Sequence, residues 1–342
     1  MKIGIAFDLK PRVSPGAAVP DDYFEEYDSQ ETVESIAAAL RTLGHQTVLL
    51  GGGTPFLDHV RYDPPDLVWN IAEGRGGRCR ESHIPAICEF LNIPYTHSDP
   101  FTLAATLDKA VAKRLVRQAG VETPDFSVIR RIEEIGDVKL PEPPLFVKPL
   151  DEGSSKGIRG DSICRRIKDA EDRVRWLIET YSHPVLVEQF ISGREITVGV
   201  IGNTGAPENP DRVLGVMEII PKNKSNPDFI YSLEVKRDFE RQVEYVTPPI
   251  APQPHVRLIK EAALAAFRAL ECRDVTRIDF RLGQNGMPYF IEANPLPGLS
   301  PKTGDLPILS RLLEISYVDL IGKILLAAVE RLNLSRAGVS TA

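Results

Sequence analysis

Thr276-Arg-Ile-Asp-Phe-Arg-Leu-Gly-Gln-Asn-Gly-Met-Pro-Tyr-Phe-Ile-Glu-Ala-Asn294 reads as two alternating strands joined at Asn285-Gly286. With Asn285 and Gly286 as a two-residue turn, Asp279 faces Glu292 and Arg277 faces Asn294 on one side of the sheet. Two carboxylates directly opposite one another repel, so the pair asks for a positive group above it. That group is either Arg277 or a bound divalent cation, to which Asn294 adds a neutral oxygen of the kind magnesium accepts. An all-oxygen set of Asp279, Glu292 and Asn294 favours magnesium or manganese over zinc. The competing reading is a solvated strand face with a surface ion pair.

Before this hairpin, Val256, Leu258, Ile259, Ala262, Ala263, Ala266, Phe267 and Leu270 recur on one helical face. Short strand patterns at Leu145–Lys148, Val185–Gln189 and Glu195–Ile201, with a helix from Asp169 to Tyr181, make the middle of the chain α+β. The first hundred residues differ. Lys2–Phe7, a loop, then Val33, Ile36, Ala37 and Leu40 closed by Gly44, with strands at Thr47–Leu50 and Leu67–Asn70, predict a parallel α/β layer. Helices are expected near Ile84–Leu91 and from Asp108 to Ala119, the second ending on Gly120.

The whole chain has 342 residues, 42% hydrophobic and 26% charged, which excludes disorder and suggests two or three domains. A net charge of -7 lacks the positive excess of a nucleic-acid binder. Four scattered cysteines read as reduced thiols, no stretch is apolar enough for a signal peptide or a membrane span, and a cytoplasmic protein is expected. Gly51-Gly-Gly-Thr54 hints at a dinucleotide loop but lacks the G-x-G-x-x-G spacing, and Pro55 and Asp58 predict loop after it. The six histidines show no metal-binding spacing.

Phe146-Val-Lys148-Pro ends a strand and is followed by Asp151-Glu-Gly-Ser-Ser-Lys-Gly157, a loop of small residues. Its backbone N–H groups can cradle phosphate oxygens, with Lys148 and Lys156 supplying charge; an ordinary turn is the competing reading. Val185-Leu-Val-Glu188-Gln-Phe-Ile191 runs into a bend at Ser192-Gly193 before Glu195 opens the next strand. Such a hinge can offer adenine backbone hydrogen bonds, and a nearby carboxylate can accept both ribose hydroxyls.

In chain order, Phe146-Val-Lys-Pro, Glu152-Gly-Ser-Ser-Lys-Gly157, Val187-Glu-Gln-Phe190, Gly193-Arg-Glu-Ile-Thr-Val198, Arg277-Ile-Asp279 and Glu292-Ala-Asn-Pro-Leu-Pro-Gly298 resemble the ATP-grasp ligases. Within them the chain is most similar to the D-alanine:D-alanine ligase family; Ile93-Pro-Tyr-Thr96 and Thr106-Leu-Asp-Lys109 extend the resemblance over most of residues 66 to 305. It implies an ATP-grasp fold of class α/β: an N-terminal parallel α/β domain (1–98), a central α+β subdomain (99–184) and a C-terminal catalytic subdomain (185–335), with the nucleotide between the last two.

The resemblance also assigns roles. Lys109, Lys148, Glu152, Gly153, Ser154, Ser155 and Gly157 are implied to hold the ATP phosphates and neighbouring groups, Glu188, Gln189, Phe190 and Ile191 the adenine, and Glu195 the ribose. Asp279, Glu292 and Asn294 are implied to bind two magnesium or manganese ions. Arg277 and the Gly298 N–H would stabilise a tetrahedral oxyanion, Lys236 and Ser154 would serve the transferring phosphoryl group, and Thr303 would touch the second amino acid. The implied reaction makes an acylphosphate from one D-alanine, which the amine of a second attacks, giving D-alanyl-D-alanine for peptidoglycan. A homodimer is also implied.

Departures cluster at the first amino-acid subsite. The family's ammonium-gripping glutamate falls near Tyr27, with Glu25, Glu26 and Glu31 close by. Its His-Gly-x-x-Gly motif becomes Glu73-Gly-Arg-Gly-Gly77, and the tyrosine after the loop lysine becomes Arg237. Two alternatives therefore stand beside D-alanine ligation: a dipeptide ligase with other substrates, or a nucleotide-binding module without catalysis. The stretch from Met217 to Tyr245, rich in Lys, Asn and Asp, reads as a loop that would act as a lid, with a plain surface loop as the competing reading.

Overall fold

The computed structural model describes residues 1–11, 20–205, 212–223 and 228–334. The N-terminal part contains β1 (Lys2–Ala6), α1 (Gln30–Thr42), β2 (Gln46–Leu49), α2 (Gly53–Tyr62), β3 (Leu67–Asn70), α3 (His83–Phe90), α4 (Pro100–Leu107) and α5 (Lys109–Gln118). Its sheet is parallel, as the apolar runs predict, and its strands lie in the order β2-β1-β3. The Ser29 side chain caps α1 by accepting from the Thr32 N–H at 3.1 Å, and Val33, Ile36, Ala37 and Leu40 turn inward. Gly44 ends that helix at φ 86, and Gly120 follows α5 at φ 79, conformations that favour glycine.

The middle part holds β4 (Phe126–Ile129), β5 (Leu145–Pro149), β6 (Ile163–Cys164), α6 (Ile167–Tyr181) and β7 (Val185–Gln189), an antiparallel sheet in the order β4-β7-β5-β6. The last part comprises β8 (Gly193–Asn203), β9 (Arg212–Pro221), α7 (Leu233–Arg237), α8 (Phe239–Gln242), β10 (Val243–Val246), α9 (Gln253–Ala269), β11 (Arg273–Gly283), β12 (Pro288–Asn294), α10 (Asp305–Leu312) and α11 (Tyr317–Arg331). Its antiparallel sheet runs β10-β9-β8-β11-β12. Ile3, Ile36 and Leu40 share one buried cluster with Leu320, Ile321 and Ile324, so the N-terminal sheet and α11 are set against each other by a common core.

Two local expectations fail. α2 follows Gly51-Gly-Gly where loop was expected, because Pro55 falls in the first turn, where no intrahelical N–H is needed, and Phe56 and Val60 anchor one face. The Met217–Tyr245 stretch is not one loop: it contains the end of β9, α7, α8 and most of β10, with 224–227 outside the described residues. All four cysteines are free. No helix among the described residues is long and apolar enough to cross a membrane.

Candidate active site

The β11–β12 hairpin sets the chemistry. Its turn is one residue longer than expected: Gly283 donates its N–H to the Met287 carbonyl at 3.0 Å, and Gly286 adopts φ 77. Alone, this would slide Asp279 away from Glu292. A β-bulge restores the register, because Phe280 pairs with Phe290 while Asp279 pairs with Glu292, leaving Ile291 as the extra residue. Asp279 thus faces Glu292 and Arg277 faces Asn294, as the sequence implied.

Arg277 supplies the positive group. Its Nε and Nη2 donate to the Asp279 carboxylate at 2.9–3.2 Å, Nη1 lies 3.2 Å from Asp305, and Nη2 lies 3.8 Å from Glu292. Thr197 Oγ1 and Asn294 Nδ2 also donate to Asp279, at 2.9 and 3.3 Å. Burial and the facing Glu292 push the Asp279 pKa up, against the pull of Arg277. Glu292 goes the other way: against burial, Lys109, Lys148 and Arg277 hold its carboxyl down at about 2. Glu292 accepts no hydrogen bond among the described residues; Lys109 Nζ stands 3.8 Å away. Free carboxylate oxygens beside a second carboxylate and the Asn294 amide suit a hard, oxygen-seeking divalent cation.

Two cavities meet at this hairpin. The first lies between the middle and C-terminal sheets and is lined by Lys148, Ser155, the Glu188–Ile191 hinge, Glu195, Lys236, Arg277, Asp279 and Glu292. Glu188 sits between Lys148 and Lys113, each ammonium 2.8 Å from a different carboxylate oxygen. Despite burial, the two lysines keep the Glu188 pKa low. Lys113 was missed in the sequence: it lies one turn after Lys109 on α5, and only the fold brings it to β7. Arg281 was missed as well. It donates to the Ile191, Gly193 and Phe229 carbonyls and to Glu195 at 2.8–3.1 Å, pinning the hinge. The alternation Arg277, Asp279, Arg281 on one strand face was the available signal.

The small-residue loop is tightly bent, with Ser154, Ser155 and Gly157 at φ 48, 58 and 70. Two of its N–H groups are engaged by an N-terminal segment: Gly153 donates to Glu26, and Gly157 donates to Asp22 at 2.9 Å. Lys156 turns to Glu26 and Glu152 rather than into either cavity. Gly157 also lies outside both cavities; it packs on Pro149 and Leu177, where a Cβ would come within 2.8 Å of Pro149.

The second cavity takes in Tyr27, Glu73, Lys109, Glu152, Gly153, Ser154, Lys236, Arg277, Glu292, Asn294, Gly298 and Thr303. The Asp108 carboxylate caps α5 by accepting from the Ala110 and Val111 N–H groups, which places Lys109 at the helix start beside Glu292. Lys236 Nζ lies over the Tyr231 ring at 5.0 Å and lines both cavities. Of the three glutamates near Tyr27, Glu26 is held by Arg80 at 2.8 Å and by Gly153, Glu25 pairs with Lys10 and Arg237, and Glu31 pairs with exposed Lys302. Thr303 donates to Ser300 Oγ at 2.9 Å on the cavity rim.

The family described as D-ala D-ala ligase C-terminus matches residues 115–326. The chain belongs to the D-alanine–D-alanine ligase family. A D-alanine–D-alanine ligase of Anaeromyxobacter sp. (strain K) is 32% identical over 302 residues, 87% of this chain and 91% of the relative. The uncharacterized protein y4sG of Sinorhizobium fredii is 34% identical over 276 residues, 78% of each chain. The crystal structure of a Bacillus anthracis D-alanine–D-alanine ligase complexed with ATP superposes with a TM-score of 0.70 at 20% identity, covering 97% of this chain and 99% of that one. Family and fold agree: this is an ATP-grasp enzyme of the ligase class, with mixed α/β sheets.

Proposed function

We propose that this chain is an ATP-dependent carboxylate–amine ligase, which activates one amino acid as an acylphosphate and joins it to the amine of a second. The products are a dipeptide, ADP and phosphate; D-alanyl-D-alanine is the dipeptide that the relatives' names imply. The observation that carries this reading is the Asp279–Glu292 pair under Arg277, on the one strand pair that both cavities share.

In this reading the first cavity holds ATP: the Glu188–Ile191 hinge meets adenine, Glu195 the ribose, and Lys148 and Lys109 reach toward the phosphates. Gly153, Ser154 and Ser155 cover the phosphates, with Ser154 facing the amino-acid side, while Glu152 orders Lys109 through its carbonyl. Magnesium or manganese bound by Asp279, Glu292 and Asn294 would neutralise phosphate charge. A carboxylate oxygen of the first amino acid takes the γ-phosphoryl group and ADP departs. The amine of the second then attacks the acyl carbon, loses a proton and expels phosphate. In this reading Arg277 and the Gly298 N–H, which line the second cavity, would neutralise the oxyanion, Lys236 the phosphoryl group, and Thr303 the second carboxylate. The chain's contribution is positioning and charge neutralisation. The enzyme is proposed to be cytoplasmic and homodimeric, the latter testable by sedimentation.

Incubation with ATP, magnesium and D- and L-amino acids, with phosphate release and product mass as readouts, tests the reaction. Glu292→Gln and Lys148→Ala should each lower turnover by about 100-fold or more; full activity in both sinks the proposal. A second reading keeps the chemistry and changes the first amino acid. Glu73, where the family has histidine, favours it.

A further inference from the structure

We infer that Asp305 is a positioning residue of the proposed ligation: it ties the Arg277 guanidinium to the loop that carries the Gly298 N–H. The inference rests on the ligase reading, in which those two groups share one oxyanion, and it names what fixes their spacing. Asp305 opens α10, is 7% exposed and lines both cavities. One of its carboxylate oxygens lies 3.2 Å from Arg277 Nη1. The other accepts from the Tyr231 hydroxyl at 3.3 Å, and that hydroxyl also meets the Tyr245 hydroxyl at 2.5 Å.

The loop from Gly298 to Gly304 is a firm anchor. Gly304 donates its N–H to the Ser300 carbonyl at 3.0 Å, and a Cβ on Gly304 would come within 2.4 Å of the Gly298 carbonyl oxygen, so glycine lets the start of α10 lie against Gly298. From the helices, Arg311 and Tyr317 donate to the Pro301 and Leu299 carbonyls at 3.0 and 2.8 Å. Arg277 stands on a separate element, β11, and its Nε and Nη2 are given to Asp279 on the same strand. The Nη1 contact with Asp305 therefore joins the guanidinium to the loop. In the ligase reading Asp279 and Glu292 also serve the metal ions, whereas Asp305 is left to Arg277 and Tyr231. Donors aimed at a developing charge work through fixed geometry, and a carboxylate against a planar guanidinium supplies it. An acidic residue in the first turn of a helix also stabilises that helix, so the test has to separate the two roles.

The full chain carrying Asp305→Ala or Asp305→Asn is compared with the wild type in two readouts. The first is dipeptide formation from D-alanine, ATP and magnesium, with the other amino acids of the panel above in its place if D-alanine is not used. Asp305→Ala is expected to lower kcat about tenfold or more while KM for ATP stays within about threefold. Asp305→Asn, which keeps an oxygen for Arg277 Nη1, is expected to recover most of that loss. The second readout is a proton–nitrogen correlation spectrum of enzyme carrying isotope-labelled arginine, with Arg277 assigned through Arg277→Lys. The two Nη1 protons should be resolved in the wild type and in Asp305→Asn, and averaged by rotation about Cζ–Nη1 in Asp305→Ala. A helix-stabilising role alone moves the melting temperature and leaves both readouts unchanged. Wild-type kcat in Asp305→Ala, no recovery in Asp305→Asn, Nη1 protons already averaged in the wild type, or protons still resolved in Asp305→Ala each overturn the inference and leave the ligase reading intact. Absence of turnover with every pair overturns the ligase reading, and the Nη1 protons then still decide whether Asp305 fixes the guanidinium. Should Asp305→Ala fail to fold, Asp305→Ser, whose side chain is too short to reach Nη1, is held to the same outcomes.

Discussion

Lys113 and Glu188 carry a residue-scale prediction. Lys113 is fully buried, donates to Thr123 Oγ1 and the Phe290 carbonyl at 2.9 and 3.1 Å, and faces Glu188, while burial drops its pKa to about 8. Removing one member of a buried charge set leaves another uncompensated, which costs about 3 kcal/mol or more. Lys113→Met is therefore expected to lower stability by that order in urea denaturation and to raise KM for ATP through a misplaced Glu188. An unchanged midpoint would show that Lys148 alone satisfies the carboxylate. Single residues also mark where sequence reading reached its limit. Arg277, Asp279 and Glu292 announced themselves by alternation on one hairpin, whereas Glu26 sat among three candidate glutamates and only its contact with the Gly153 N–H singled it out.

At the scale of elements, α7 and the N-terminal segment latch across the second cavity. Arg237 donates to Asp21 and Glu25 at 3.0 Å each, and Arg159 bridges Asp21 and Glu234 at 2.6 and 3.1 Å. These contacts between α7 and the N-terminal segment are made by charge. These groups are partly exposed, and each pair contributes about 0.5 kcal/mol and weakens with salt. The α7–α8 segment is accordingly expected to act as a lid. ATP with amino acid should slow limited proteolysis within Leu233–Gln242, and Arg237→Ala should speed cleavage a few-fold at low salt but little at high salt. Cleavage indifferent to ligand counts against the lid. The same scale explains the β11–β12 hairpin: a longer turn and a bulge offset one another, so the Asp279–Glu292 pairing was read correctly from a turn of the wrong length.

For the molecule as a whole, the N-terminal and C-terminal parts are tied by a buried polar knot. His97 donates its backbone N–H to Asp274 at 2.8 Å, and Arg331 on α11 joins Asp274 and the Tyr95 carbonyl at 2.8 and 3.0 Å. Burial holds the His97 pKa down at about 4, with Arg331 adding to that effect and Asp274 opposing it. Because the unfolded chain binds this proton near pH 6.5 and the folded one does not, the stability linked to His97 is full above 6.5 and lost as pH falls toward 4. Thermal midpoints should drop through that window, and His97→Gln should flatten the drop; an equal slope in both would remove His97 as its cause. By itself, the sequence determined the parallel N-terminal sheet, the ordered motif set and the facing carboxylates, because strand alternation and local motifs encode what is near in the chain. The tertiary structure alone decided that Lys113 reaches Glu188 and that Asp22 and Glu26 occupy the small-residue loop. Those partners are brought together by the packing of separate elements, which leaves no local pattern to read.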